Sequence, residues 1–432
     1  MNRTQTACVA FAVGCPRNQV DTAWLSTYFR ANGWKLTHCV KDADLIVVAT
    51  CGFSAHVEDE SIRLLSLLDK KRRKDSRLLV VGCLAGINAA RVHEQFDATA
   101  IPPANIDQLD TMIGAKIALK DIPPVNCIEP RILAAKGSWS VQEMYPNMSG
   151  FAAFRHQIKR TACSLLSRVG TERFAMRTVR RFNRKTEDGP ADPIFYIRVA
   201  RGCLEECSYC AIRHAAGSLR SKPLKDILAE FDLGLAQRYK TFEILAEDIG
   251  PYGLDIGSNC VELFEQLFSR QGTFKLIVTD LNVRYLIRYT PALSDVLASH
   301  TDRIRVLKVP VQSGSDRILE SMKRCYTNAE MKTSLTYLRE KAPTLALSTH
   351  VLVGFPGETD EDFENTLDLL RSVRFDRIMV YSYTDRPNTS ASALTDKVPE
   401  PVKQQRARRL VGEFPQAEAC SFDESRESCA AS

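Results

Sequence analysis

Three cysteines, Cys203, Cys207 and Cys210, lie within one short segment that directly follows an apolar stretch at 195–199. Their soft thiolates favour an iron–sulfur cluster over harder metal ions, and their close spacing lets three sulfurs converge on one centre. A cubane cluster has four irons, so three cysteines leave one iron open for an outside ligand. A zinc site is the alternative, but the usual four-ligand, paired CxxC arrangement is missing here. The spacing therefore favours an open [4Fe–4S] cluster.

Three more cysteines occur in similar local settings within the first hundred residues. Each follows an apolar segment, and neighbouring parallel strands would bring the three thiols to one carboxyl edge of a sheet, where open α/β sheets bind ligands. The alternative is three independent buried cysteines, since cysteine is often buried as a small hydrophobe. Their shared structural position favours a second three-cysteine cluster. The segments and their cysteines are 7–13 with Cys15, 45–50 with Cys51, and 78–81 with Cys83.

The elements that must position these thiols alternate between apolar strands and amphipathic helices. Before residue 110 this alternation, with helices predicted at 19–32 and 57–74, indicates a parallel α/β domain. From residue 194 onward six further βα units suit an open, partial (β/α)6 barrel better than a closed eight-stranded one. The predicted fold class is therefore α/β, with an N-terminal parallel α/β domain followed by a partial barrel. The six predicted barrel strands are 195–199, 241–245, 275–279, 304–309, 346–353 and 377–382.

Four segments are predicted along the chain. Prolines and glycines between 111 and 150 indicate an irregular connection, and the polar composition of the last residues indicates disorder. The two cysteines of the tail, Cys420 and Cys429, are expected to be free thiols. The predicted segments are an N-terminal α/β domain at 1–110, a linker with a basic helical insert at 111–190, the partial barrel at 191–395, and a short helix with a disordered tail at 396–432.

The positive charge of the chain is concentrated in the insert. The net charge is +6, whereas segment 151–185 alone holds ten Lys and Arg residues against one acidic residue. Its apolar residues recur at helical spacing. Three interpretations stay open: a solvated helix that covers the barrel, a docking surface for an acidic peptide or RNA, and attachment to a membrane surface.

Composition narrows the cellular setting. Hydrophobic residues make up 44% of the chain and charged residues 25%, which is ordinary for a soluble globular protein. No apolar run reaches the roughly 20 residues that span a bilayer, and no signal-peptide pattern is present. Fourteen cysteines in a reducing compartment favour metal ligation over disulfides. We therefore expect a cytoplasmic protein that has no membrane span and is a monomer.

The two cysteine triplets and the motifs around them resemble those of the radical S-adenosylmethionine (SAM) methylthiotransferases, enzymes that replace a C–H bond with C–SCH3. The resemblance covers residues 7–412. Any one motif would be weak evidence, but their order beside two cysteine triplets is specific. The matching motifs are Gly14-Cys15-x-x-Asn18-x-x-Asp21, Thr50-Cys51, Gly82-Cys83, Arg220-Ser221, Pro310-Val311-Gln312-Ser313-Gly314-Ser315, Met322-Lys323-Arg324 and Gly354-Phe355-Pro356-Gly357-Glu358-Thr359.

This resemblance implies the cofactors and their chemistry. Two [4Fe–4S] clusters are expected, one on each cysteine triplet, together with S-adenosyl-L-methionine and an electron donor such as flavodoxin or ferredoxin. By the family's chemistry, one SAM methylates a sulfur at the first cluster, and a second SAM at the other cluster yields the radical that abstracts a substrate hydrogen. The residues predicted to contact SAM are Tyr209, Arg220, Gln312, Ser313, Gly354 and Pro356.

The sequence departs from the family in two places. Familiar members that modify tRNA or ribosomal protein end in a TRAM domain, a small β-barrel, whereas the residues after Tyr383 lack the alternating strands of a barrel. Lys308 stands where the family often has a histidine. The first departure favours a peptide or natural-product precursor as substrate. The alternatives are a tRNA held by the basic insert, and a non-catalytic Fe–S electron carrier or redox sensor.

Overall fold

The first sheet consists of five parallel strands in the order β2-β1-β3-β4-β5. The computed structural model describes residues 4–11, 15–127 and 193–420, and this sheet ends before residue 102. Every residue of β3 is buried, as expected when helices cover both faces of a parallel sheet. The strands are β1 (Thr6–Phe11), β2 (Lys35–Leu36), β3 (Leu45–Thr50), β4 (Arg77–Gly82) and β5 (Thr99–Ile101).

Two hydrophobic cores lie on opposite faces of this sheet because strand side chains alternate. Ile46 and Val48 of β3 belong to one core. Leu45 and Val47 belong to the other. The helix predicted at 19–32 begins earlier, at Pro16, since proline suits the first turn of a helix. The helices are α1 (Pro16–Ala31), α2 (Ala55–Lys71), α3 (Cys83–Ile87), α4 (Ala89–Gln95) and α5 (Gln108–Ile113).

The second sheet has seven parallel strands in the order β14-β13-β12-β11-β10-β9-β6. A separate antiparallel pair, β7 with β8, follows its first strand. Six strands of the seven-stranded sheet agree with the six predicted strands to within about two residues at each end. The strands are β6 (Ile194–Arg198), β7 (Ala200–Arg201), β8 (Arg220–Ser221), β9 (Thr241–Leu245), β10 (Lys275–Val278), β11 (Ile304–Lys308), β12 (Leu347–Val353), β13 (Arg377–Ser382) and β14 (Ala417–Ala419).

Helices between these strands pack against one continuous core. Two of them begin with a capping box, with Thr327 at the start of one helix and Thr359 at the start of the other. In each, an acidic side chain three positions later accepts the backbone N–H of the threonine. The helices are α6 (Ile212–Ala216), α7 (Leu224–Ala236), α8 (Cys260–Phe268), α9 (Val283–Tyr289), α10 (Ala292–Ala298), α11 (Asp316–Ser321), α12 (Asn328–Lys341), α13 (Asp360–Ser372) and α14 (Glu400–Glu413).

The architecture confirms the predicted fold class of a parallel α/β domain followed by a partial barrel. The tail differs from the prediction, because residues 417–419 form β14 beside β13. Cys420 is buried, and its N–H donates to the carbonyl of Val380, so it lies in the folded part of the chain and not in a disordered tail. The basic segment 151–185 and Cys429 lie outside the described residues. Within the described ranges no helix is both long and apolar enough to cross a membrane.

Candidate active site

The structure brings the first three cysteines to the carboxyl edge of the first sheet. Cys15 directly precedes α1, Cys51 directly follows β3, and Cys83 begins α3 after β4. Burial raises the pKa of Cys51 to about 12, with a further rise from the neighbouring Cys15. Burial also raises the pKa of Cys83, followed by the effects of Cys51 and Cys15. Because β1, β3 and β4 are adjacent parallel strands, the three cysteines lie at one edge of the sheet. That they bind one cluster stays a prediction.

Local contacts fix the backbone at two of these thiols. The N–H of Cys51 donates to Ser61 Oγ at 3.1 Å, and Ser61 Oγ donates back to the Cys51 carbonyl at 2.9 Å. Before Cys83, Gly82 has φ 97°, and a Cβ there would lie 2.3 Å from the carbonyl oxygen of Thr50. Only glycine fits this position without displacement of β3.

The second triplet occupies the loop between β7 and α6. The N–H of Cys203 donates to the carbonyl of Gly217 at 3.2 Å, and the N–H of Cys210 donates to the carbonyl of Cys207 at 3.1 Å. Burial raises the pKa of Cys210 to about 11, with a further contribution from Cys207. Burial raises the pKa of Cys203 as well. The loop thus carries three thiols, of which Cys207 is buried and the other two are half-buried.

Donors already point at the sulfur atoms of this loop. The N–H of Glu205 donates to Cys203 Sγ at 3.3 Å, and Arg324 Nη1 donates to Cys207 Sγ at 3.5 Å. Arg324 is itself buried and donates to the carbonyl of Pro310 at 3.1 Å. Hydrogen bonds to thiolate sulfur stabilise its negative charge and tune an iron–sulfur cluster. The loop thus offers both ligands and the contacts that would orient them.

The donor chemistry of the two triplets suits iron–sulfur clusters. Across the described ranges, no three Cys, His, Asp or Glu side chains are close enough to hold one metal ion. A cubane distributes its thiolates over separate irons, so its ligands lie further apart than those of a single ion. Each triplet supplies three soft sulfur donors and leaves one iron free. The six thiols are therefore suitable ligands for two open clusters.

Ion pairs at the carboxyl edges join the two sheets. Asp21 of α1 pairs with Arg201 at 2.7 Å and with Arg198 at 2.8 Å. The packing is close, because a Cβ on Gly86 of α3 would lie 2.5 Å from Cα of Ala215 in α6. The two cysteine triplets thus stand in adjoining elements of one interface.

Three of the predicted SAM-contacting residues lie at or near the carboxyl ends of barrel strands. Tyr209 is half-buried against a small apolar cluster that includes Phe355. Gln312 has φ 67°, and its N–H donates to the carbonyl of His350 at 2.9 Å. The Ser313 hydroxyl is fully buried and lies 3.3 Å from Thr366 Oγ1. These roles toward SAM stay predictions.

The other three predicted contacts have clear structural surroundings. Gly354 has φ 72°, and a Cβ there would lie 2.3 Å from Cγ of Lys403, so packing against α14 requires glycine. Pro356 is buried two residues later. Arg220 is exposed, and its Nη2 donates to the carbonyl of Ala104 at 3.3 Å, which directs it toward the first domain. Their contact with SAM also stays a prediction.

Polar residues of the barrel interior were missed in the sequence. Glu243 is buried in the middle of β9, and this burial raises its pKa to about 7, with Lys308 of β11 opposing the rise. Asp248 is buried and has a pKa of about 7, again through burial, and it accepts the N–H of Gly250 at 2.9 Å. A single acidic residue within an apolar strand was the signal that could have revealed Glu243.

Comparisons with known proteins agree with this geometry. The model of the uncharacterized protein family UPF0004 matches residues 8–101, and that of the Radical SAM superfamily matches residues 197–370. Ribosomal protein uS12 methylthiotransferase RimO of Thermotoga sp. (strain RQ2) is 30% identical over 402 residues, which cover 92% of this chain and 81% of that relative. The chain belongs to the radical SAM methylthiotransferase family. The uS12 methylthiotransferase RimO of Geotalea uraniireducens (strain Rf4) is also 30% identical, over 93% of this chain and 80% of its own.

Solved structures support the fold alone. The radical SAM methyltransferase TsrM from Kitasatospora setae superimposes with a TM-score of 0.56 and 12% identity over 90% of this chain and 74% of its own. The cobalamin-dependent SAM radical enzyme OxsB superimposes with a TM-score of 0.52 and 12% identity over 96% of this chain and 58% of its own. Both proteins share the arrangement of parallel sheets.

Family membership confirms the predicted chemistry. The methylthiotransferase uses two [4Fe–4S] clusters and SAM, as the two cysteine triplets predicted. It is an enzyme, so the alternative of a non-catalytic electron carrier or redox sensor loses its support. The individual ligands and the substrate are taken up below as proposals.

Proposed function

We propose that this enzyme inserts a methylthio group at an unactivated C–H bond of a polypeptide, either a protein or a natural-product precursor peptide. The support for a polypeptide comes from the relatives, which are named for ribosomal protein uS12. The chain aligns with most of their length, and the two matching family models include both cysteine triplets. SAM would serve both as methyl donor and as radical source.

One observation carries the proposal: the side chain of Arg17 reaches from one thiol site to the barrel. Arg17 lies two residues after Cys15 in α1, and its Nη1 donates to the carbonyl of Ala246, directly after β9. A sulfur inserted at carbon must travel from its carrier to the substrate radical over a short distance. Thiol sites on adjoining edges supply that proximity.

Each triplet has a proposed role. Cys203, Cys207 and Cys210 would hold the cluster that binds SAM, and the other triplet would hold the cluster that carries the sulfur. When bound, these groups supply the carbon radical and the methylthio group. The protein contributes position and shielding: Arg324 orients Cys207, and Ser61 orients Cys51. Shielding from water matters because a carbon radical reacts with whatever reaches it first.

The SAM contacts would come from loops at the carboxyl ends of the barrel strands. Tyr209 would lie against the adenine, and Gln312 would bond the ribose or methionyl group. Ser313 would help to position the adjacent Gln312, since its own hydroxyl lies next to Thr366. Gly354 and Pro356 would shape the cofactor pocket, and Arg220 would pair with the SAM carboxylate.

The remaining assignments concern organisation and partners. Domain limits at 1–110, 111–190, 191–395 and 396–432 stay our proposal, with β14 now included in the last segment. An electron donor such as flavodoxin or ferredoxin would reduce the cluster that binds SAM. We further propose that the enzyme acts as a monomer in the cytoplasm.

A tRNA substrate is the second candidate, and the basic segment 151–185 is the observation that favours it. Ten positive side chains in that segment would attract phosphates. An acidic peptide would be attracted in the same way. The charge alone therefore does not replace the support that the relatives give to a polypeptide.

Anaerobic reconstitution tests the proposal directly. Two four-iron clusters predict about eight irons per chain, together with 5′-deoxyadenosine formed from SAM and a reductant. Mass spectrometry of polypeptide and tRNA fractions after reaction should find the added SCH3 on polypeptide. Label on tRNA alone would favour the second candidate, and about four irons with intact SAM would contradict both.

A further inference from the structure

Two residues of opposite charge lie on the inner face of the barrel sheet, the face that points away from the helices. Ile244 of β9 and Leu307 of β11 belong to the core on which the helices pack. Because side chains alternate along a strand, the next residues, Glu243 and Lys308, point to the opposite face. One strand, β10, lies between β9 and β11. Glu243 and Lys308 thus share the inner face of the barrel.

The inner face is only partly covered by other residues. Tyr196 and Ile277 pair with Glu243 from the neighbouring strands β6 and β10, and both are half-buried. Lys308 and His350 are half-buried as well. The outer face of the same strands is, in contrast, fully buried beneath the helices. Space therefore remains accessible beside Glu243 on the inner face.

Glu243 and Lys308 have charged side chains without hydrogen-bonding partners. Glu243 is 7% exposed, and neither side chain makes a hydrogen bond or an ion pair with the residues that the structure describes. The other charged groups that face Glu243 are Arg17 and Asp280. These two pair with each other, at 3.2 Å. Buried polar groups are nearly always hydrogen-bonded, so an unpartnered carboxylate at this depth indicates a place for a ligand.

The two charges restrict the chemistry of that ligand. A carboxylate can only accept hydrogen bonds and an ammonium can only donate them. Neighbouring strands are about 4.8 Å apart, so side chains on β9 and β11 leave room for a small group between their ends. Ionised Glu243 would repel an acidic group, and Lys308 would repel a basic one. A carboxamide is neutral and carries an acceptor oxygen and a donor nitrogen on separate atoms.

A row of rings connects this pair to the first thiol site. Phe53 lies two residues after Cys51 and is exposed, and its ring meets the edge of Tyr381 with centroids 6.0 Å apart. The ring of Tyr381 in turn meets that of His350 at 5.3 Å. His350 lies on β12, the strand next to that of Lys308. A substrate segment that follows these rings would reach the charged pair from the edge where the thiols lie.

We propose that Glu243 and Lys308 form a subsite for a side-chain carboxamide of the polypeptide substrate. Lys308 donates to the amide oxygen, and Glu243 accepts from the amide nitrogen. The subsite thereby selects asparagine or glutamine in the segment that enters the barrel. This inference rests on the proposed function for the polypeptide and adds the side chain that is recognised. It also explains why a buried carboxylate is kept at a cost in stability, since functional sites often carry such a cost.

The test measures binding of small probes to the metal-free full chain by saturation-transfer NMR. The probes are the N-acetyl-N′-methylamides of asparagine, aspartate, lysine and leucine, each at millimolar concentration. The asparagine probe should bind most tightly. Lys308→Met and Glu243→Met should each weaken its binding about tenfold, because each removes a hydrogen bond to a charged group. Lys308→Arg should retain part of the affinity, since it keeps a positive donor.

The control is Lys225→Met, which removes an exposed lysine at the start of α7 and should leave binding unchanged. Thermal unfolding checks that each variant is folded. Tighter binding of the aspartate or lysine probe would overturn the choice of a carboxamide. Absence of binding by the asparagine probe, or equal binding in wild type, Lys308→Met and Glu243→Met, would overturn the subsite. The measurement needs neither clusters nor turnover, so a failure to label polypeptide would contradict the proposed function separately.

Discussion

Glu58 and Arg386 form a buried ion pair that joins α2 of the first sheet to the segment after β13 of the second. Their side chains are 3% and 6% exposed. Glu58 also accepts hydrogen bonds from Arg91 Nη1 and Asn88 Nδ2, each at 2.8 Å. The Glu58 carboxylate thus has three hydrogen-bonding partners within the interface. Loss of one of them should lower the stability of the fold, whether or not the enzyme is active.

Replacement of Arg386 with leucine should lower the free energy of unfolding by about 3 kcal/mol, because it removes one partner of a buried charge. Urea unfolding of the metal-free chain provides the measurement. Arg91→Leu is the matched control, since the Arg91 side chain is 32% exposed and water can replace its contact with Glu58. Equal losses in the two variants would show that burial of the interface pair is not decisive.

The same carboxylate predicts a pH dependence. Burial would raise the pKa of Glu58, but the hydrogen bonds from Arg91 and Arg386 lower it below its usual 4.5. A lowered folded-state pKa adds stability above about pH 4.5, and this stability is lost as the pH falls through the folded-state value. Glu58→Gln should therefore flatten the stability profile below pH 5, as measured by thermal unfolding. An unchanged acid limb would contradict the pairing.

The position of the first three cysteines at one sheet edge could be predicted from the sequence because its determinants are local. Each cysteine of the first site follows a strand, and parallel neighbours necessarily share one carboxyl edge. The pair of Glu58 and Arg386 could not be predicted, since 328 positions separate the partners and only the docked domains bring them together. β14 was missed because three residues carry too little periodicity to distinguish an edge strand from a loop.

Gly82 offers a test of how the backbone positions Cys83. An alanine there would meet the Thr50 carbonyl at 2.3 Å in a conformation with φ 97°, so Gly82→Ala should cost about 3 kcal/mol. It should also reduce reconstituted iron toward about four per chain, because the first site is displaced. Gly33→Ala is the control: its φ is 82°, but no atom lies within 4 Å of the added Cβ. Full iron in Gly82→Ala would contradict the requirement for glycine.

Glu243 predicts a pH effect of the opposite sign. Burial raises its pKa from 4.5 to about 7, so the folded chain binds a proton that the unfolded chain releases. Stability from this group is present below about pH 4.5 and is lost as the pH rises through 7. Glu243→Gln should therefore be more stable than wild type at pH 8, by up to about 3 kcal/mol. The exposed Glu265→Gln is the control in urea unfolding at pH 5 and pH 8. A variant that gains nothing at pH 8 would contradict the raised pKa of Glu243.

The two cysteine triplets should separate chemically. With Cys15, Cys51 and Cys83 replaced by alanine, the chain should retain about four irons, cleave SAM with a reductant, and transfer no methylthio group. The reciprocal variant, which lacks the other triplet, should also retain about four irons but leave SAM intact.

Iron analysis and chromatography for 5′-deoxyadenosine distinguish the two variants. SAM cleavage by the reciprocal variant would show that the two sites have the opposite roles. About eight irons in either variant would show that the cysteines replaced in it are not cluster ligands. The expected asymmetry follows from the proposed roles of the two sites. Arg324 donates to a sulfur of the Cys203–Cys210 loop, beside the strand ends where Gln312 and Tyr209 would receive SAM.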